Sequence, residues 1–185
     1  QAFVPVLAET LKNPDPALRK LSATALESLN WTPPDIEYSV IYSIAIEDCG
    51  QCAQLGSVAV PALCELLEQP GNSQYISIIE TLGQIGDRGA VASLIRLLEQ
   101  PMPMDKYGYN LSSPLLRIHC GCLVALGKIG DPSTIEYIKG RLGSENPLEV
   151  QYSAVSALSG FGAEAHKVVP SLIQLLKYTS HLDEV

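Results

Sequence analysis

"LGQIGDRGAVASLIRLL", residues 82 to 98, joins two apolar runs through a glycine–aspartate step. Apolar residues recur at three- and four-residue spacing on both sides of that step, which predicts two helices separated by a tight turn. Gly86 closes the first helix, at the position where a left-handed residue terminates a helix most cheaply when it lacks a Cβ. The same frame returns elsewhere in the chain. Aligned on glycine, the stretches are "QLGSVAVPALCELLEQ" from Gln54, "QIGDRGAVASLIRLLEQ" from Gln84, "KIGDPSTIEYIKGRLG" from Lys128 and "GFGAEAHKVVPSLIQLLK" from Gly160. Their anchors, Gly56, Gly86, Gly130 and Gly162, fall about 30 residues apart except for one longer gap. A second set of apolar runs completes the unit: "LRKLSATALESL" from Leu18, "YISIIETLGQI" from Tyr75, "IHCGCLVALGKI" from Ile118 and "VQYSAVSALSGF" from Val150.

The unit is therefore a pair of antiparallel helices, and one pair cannot bury its apolar face alone whereas stacked neighbours can. The fold class expected is all-α, an α-solenoid of stacked helix pairs in a single domain over residues 1 to 185. The pairs span about 2–29, 57–85, 88–129 and 131–161, with a final unpaired helix at 165–178. Two segments interrupt the register. Residues 31 to 55, "WTPPDIEYSVIYSIAIEDCGQCAQL", start at Pro33 and Pro34 and predict one or two inserted helices. Residues 100 to 114, "QPMPMDKYGYNLSSP", form a loop inserted inside one pair, and long loops on such scaffolds are functional or disordered.

Residues 82 to 98 also resemble the short HEAT-like repeat named after phycobilisome lyases, whose second helix carries an alanine–leucine–glycine end, followed by glycine–aspartate and an alanine–valine–x–x–leucine helix. The resemblance covers about residues 3 to 178. It implies a right-handed superhelix whose second helices line the concave side.

Composition narrows the function. With 20 acidic and 12 basic residues the chain carries a formal charge of −8, and no cluster of Lys and Arg is present to displace counterions from phosphates, so nucleic acid is not an expected partner. The longest nearly apolar stretch, "SVIYSIAI" at 39 to 46, is too short to cross a bilayer, and a cytoplasmic location is expected. Five cysteines without a regular framework suggest reduced thiols. The first residue, Gln1, already lies inside an apolar pattern, which suggests a fragment of a longer protein.

Chemistry-bearing patterns are sparse. Cys49 and Cys52 in "EDCGQC" would make a redox pair only at a strand-to-helix turn, which an all-helical frame does not offer. A zinc site joining Cys49 and Cys52 to His119, Cys120 and Cys122 of "HCGC" is the sharper alternative, but Cys122 occupies the register of Ser22, Ile78 and Ala154, and Cys64 lies on an apolar stripe. Packing thiols account for the set, and no metal or other cofactor is expected. No phosphate-binding loop and no nucleophile elbow occur. His119, His166 and His181 lack the His–Glu dipeptide that metal-binding HEAT-like hydroxylases would display.

The most informative features are columns across the second helices. One reads Arg19, Tyr75, His119 and Gln151, the next Lys20, Ile76, Cys120 and Tyr152, and one turn on come Ala23, Ile79, Leu123 and Val155. Either these residues pack against neighbouring helices, or they line a groove for an apolar partner segment with tyrosines as anchors. Tyr107 and Tyr109, flanking Gly108 in the inserted loop, offer a second surface. The expected function is a non-catalytic scaffold that binds another protein, or another domain of its own chain, through the concave face and the loop. The resemblance implies two alternatives. One is a lyase-type subunit handling a bilin on antenna proteins, with Tyr75, His119 and Tyr152 contacting the tetrapyrrole. The other is a regulatory repeat module of a larger enzyme.

Overall fold

Glycine stops the helices and aspartate starts them. In the computed structural model, which describes residues 3–46, 48–69, 74–102, 104–105, 108–109 and 113–162, Gly86 and Gly130 take left-handed conformations, with φ of 72° and 65°, and their N–H groups bond back to Leu82 and Leu126. The anchors Gly56 and Gly162 also have positive φ, a trait that only Asn30 shares among the other described residues. Directly after Gly86 and Gly130, the carboxylates of Asp87 and Asp131 accept the N–H of Gly89 and of Ser133 at 2.7 and 3.0 Å. Such bonds satisfy donors that the first turn leaves unpaired. Asp15 before Pro16, Asp35 and Ser113 before Pro114 cap three further helices in the same way.

Among the described residues the regular structure is helical apart from one two-residue antiparallel ladder, in which Met104 pairs with Tyr109 and Asp105 with Gly108. It divides into two compact units, Gln1–Ser93 and Leu94–Val185. The first contains α1 Val4–Thr10, α2 Pro16–Ser28, α3 Ile36–Ala45, α4 Cys49–Leu55, α5 Val60–Glu68 and α6 Tyr75–Ile85. Then α7 Val91–Leu98 carries the chain onward, and the second unit continues with α8 Pro114–Ile129, α9 Ile135–Lys139 and α10 Leu148–Ser159. Short 3-10 turns lead into α5, α7 and α9. The expected final helix at 165–178 lies outside the described residues, as does Tyr107.

In the first unit α1 packs on α2, and the inserted helix α3 packs on α2, α4 and α5. Leu11, Ala23, Leu26, Ile41 and Ala45 form a core roofed by Trp31, Tyr38 and Tyr42. Trp31 stands edge-on to Tyr38 with ring centroids 6.1 Å apart, a favoured aromatic geometry. In the second unit the main contact is α8 against α10, with α9 beside them. Small residues set that distance: a Cβ placed on Gly127 would lie 2.5 Å from the Cα of Ala157, and one on Gly160 would lie 2.5 Å from the oxygen of Gly127. Among the described residues no helix is long and apolar enough to cross a membrane.

Candidate functional site

Arg19 sits on α2 with 1% of its surface exposed, and its guanidinium turns back on its own helix pair. Nη1 donates to the carbonyls of Asn13 and Pro14 at 2.8 and 3.0 Å, and Nη2 donates to Oε1 of Gln74 at 2.9 Å. Gln74 in turn donates from Nε2 to the carbonyl of Ile44 at 2.9 Å, so one polar chain links α2, the end of α3 and the start of α6. Burial lowers the Arg19 pKa from its usual value, with Asp15 acting in the opposite sense.

Tyr75 and Gln151 of that column behave alike. The Tyr75 hydroxyl donates to the carbonyl of Gln69 at 2.7 Å, and Gln151 donates from Nε2 to the carbonyl of Asn146 at 2.8 Å. His119, 4% exposed, lies against the backbone of Leu97 and Gln100, and its Nε2 is buried without a hydrogen-bond partner. Desolvation, then the neighbouring Arg141, lowers its pKa. At Arg19, Tyr75 and Gln151 a polar side chain near the start of one helix holds a carbonyl at the end of the preceding helix or in the turn between them. Carbonyls at and beyond a helix end lack the regular intrahelical donor, and a charged or strong donor reaching them offsets its own burial.

Of the two readings of these columns, this placement favours packing for most of the residues. Arg19 and His119 are buried, and Ile79 and Leu123 are fully so at 0% exposure. They are packing residues, because helical spacing tells which residues share a face but not what that face meets. Tyr75 is half-buried with its hydroxyl engaged. Of the three side chains that a tetrapyrrole-contacting role would use, Tyr152 alone is exposed.

Tyr152 belongs to a separate surface. It is 62% exposed on α10, one turn after Leu148, which is 48% exposed, and one turn before the half-buried Val155. Positions i, i+4 and i+7 lie on one helix face. This is an apolar stripe with an aromatic at its centre, on a helix whose opposite side carries buried Val150, Ala154, Ala157 and Leu158. The side chain of Tyr109 lies outside the described residues.

The thiols are packing groups. Cys52 and Cys122 are buried, and Cys64 and Cys120 are half-buried. Desolvation pushes the Cys122 thiol above its ordinary pKa, and Cys120 likewise, opposite to the shift a reactive or metal-binding thiol requires. Among the described residues no three His, Cys, Asp or Glu side chains are placed to hold a metal; the side chain of Cys49 lies outside them.

No protein-family model matches this chain. No curated protein matches it significantly. Its chemistry therefore has to be read from its own residues.

Proposed function

We propose that the helix pairs stack as a HEAT-like α-solenoid and that the chain is a non-catalytic module that binds a protein partner, with the Leu148–Tyr152–Val155 face of α10 as a contact surface. The repeat reading is supported by the recurrence of positive φ at all four anchor glycines and by the aspartate caps that follow Gly86 and Gly130. The single observation that carries the binding reading is the exposure of Tyr152 between two aliphatic side chains. A large amphipathic ring with few rotatable bonds gains much contact area at low entropic cost, and such rings dominate interface energetics.

The test is photo-crosslinking from position 152 against crosslinking from exposed Thr24, in the cells that make the protein. A discrete product from position 152, absent from position 24 and lost on Leu148→Ser, is the expected result. Identical products from both positions would refute a contact at this face.

A further inference from the structure

The inserted helix α3 leaves a trough in the first unit. Its floor is Leu11, Val40, Ile41 and Leu66, all buried, and its volume is about 430 Å³. One wall is α5 with the turn before it, where Val58, Pro61, Ala62, Glu65 and Gln69 follow one another at helical spacing. The opposite wall is the start of α3, Ile36 and Glu37, with Lys12 at the end of α1. From Val58 to Gln69 the wall spans 11 steps of chain, about 17 Å at the helical rise of about 1.5 Å. A trough three turns long suits a segment of polypeptide better than a compact small molecule.

Two observations state what that segment must be. Apolar side chains stand open on both walls: Ile36 is 46% and Val58 59% exposed. The charge around them is one-sided. Residues 1–93 hold 11 acidic and 4 basic residues, a net charge of −7, whereas residues 94–185 hold 9 and 8. Of the four basic residues, Arg19 is buried on carbonyls. Lys12, the one cation of the trough, lies 2.9 Å from Glu37 and above the Tyr38 ring. Glu65 on the facing wall is exposed.

We infer that this trough binds a basic amphipathic helix of a partner protein, whose apolar stripe enters between Ile36 and Val58 while its Lys or Arg side chains meet Glu37 and Glu65. Apolar burial gives the affinity, and the acidic field of the unit speeds encounter and rejects acidic segments. This surface belongs to the first unit and the α10 stripe to the second, and the two proposals succeed or fail independently.

The experiment is fluorescence anisotropy of the whole chain with three labelled model helices: one with a leucine stripe and lysines, one with the same stripe and glutamates, and one with the same lysines and serines replacing the leucines. Binding of the first alone is expected, weakening as salt rises. Glu65→Lys and Val58→Ser, both at exposed positions and so compatible with folding, should each weaken it by about tenfold or more. Leu148→Ser/Tyr152→Ala should leave it unchanged. Equal binding of the serine helix would show a diffuse acidic surface rather than a trough. Binding of the glutamate helix, unchanged affinity in the two trough variants, or no binding of any helix would each overturn the proposal.

Discussion

Gly127→Ala sets two effects against each other. In an ordinary helix interior the change stabilises by about 1 kcal/mol, since alanine loses less backbone freedom. Here the new Cβ would lie 2.5, 2.6 and 2.9 Å from the Cα, O and C of Ala157, all backbone atoms, so no side chain can rotate away. Normal contact begins near 3.4 Å, so α8 and α10 must part by about 1 Å. That separation reaches a seam containing buried Cys122, Leu126, Ala154 and Leu158, and a gap of this size forfeits a quarter to a half of each dispersion contact across it. Overpacking of this kind costs about 1–3 kcal/mol or more, so the steric term wins and a net loss of about 2 kcal/mol is expected. Urea unfolding followed by circular dichroism would show a lower midpoint at unchanged slope. Gly140→Ala is the control, because no atom lies within 4 Å of its Cβ position, and it should shift stability by less than about 0.5 kcal/mol. If Gly127→Ala were as stable as the parent, the close approach of the two helices would not be a constraint and the reasoning would fail.

Arg19→Met should cost about 3 kcal/mol or more, because the carbonyls of Asn13 and Pro14 and the amide of Gln74 lose their donor inside the fold; thermal unfolding measures it, and a stability within about 0.5 kcal/mol of the parent would refute the clamp. Tyr75→Phe removes only the bond to Gln69, so a loss of about 1 kcal/mol is expected by the same method. The lowered pKa of His119 means that the unfolded chain binds the proton more readily. Its contribution is therefore complete above the unfolded value, about 6.5, and declines as pH falls from there toward the folded pKa. Stability measured from pH 7.5 down to 5.5 should fall more steeply in the parent than in His119→Gln, and parallel profiles would contradict the assignment. Cys52 and Cys122, buried, should resist a thiol reagent until the protein unfolds, while Cys64 and Cys120 react first; rapid modification of Cys122 in the folded protein would contradict its burial.

The all-helical character was legible because glycine and aspartate each do one local job. A glycine at Gly86 or Gly130 supplies the positive φ that ends a helix, and the aspartate beside it supplies the first acceptor of the next turn. Both effects act within four residues, where a sequence pattern can be read directly. The candidate surface was legible only at Tyr152, which lies opposite the buried side of α10. Arg19 and His119 look like surface groups by type, and their burial depends on backbone that a neighbouring turn brings to them. A usable signal existed: a strong hydrogen-bond donor at the same register in four pairs, each shortly after a helix end. The trough carries no such mark. Its walls come from α1, α3 and α5, whose meeting depends on how the inserted helix lodges among the others.

His119 also bears on how the gene can change. It lies against the backbone of Leu97 and Gln100, and Ser113 independently caps the helix on which His119 stands by accepting the N–H of Leu115 at 3.2 Å. The two ends of the span between Gln100 and Ser113 thus both bear on α8. Closing a longer loop between fixed ends costs only about 0.6 kcal/mol for each doubling of its length. A different or longer segment between Gln100 and Ser113 is accordingly tolerated at small cost while the helices on either side keep their places.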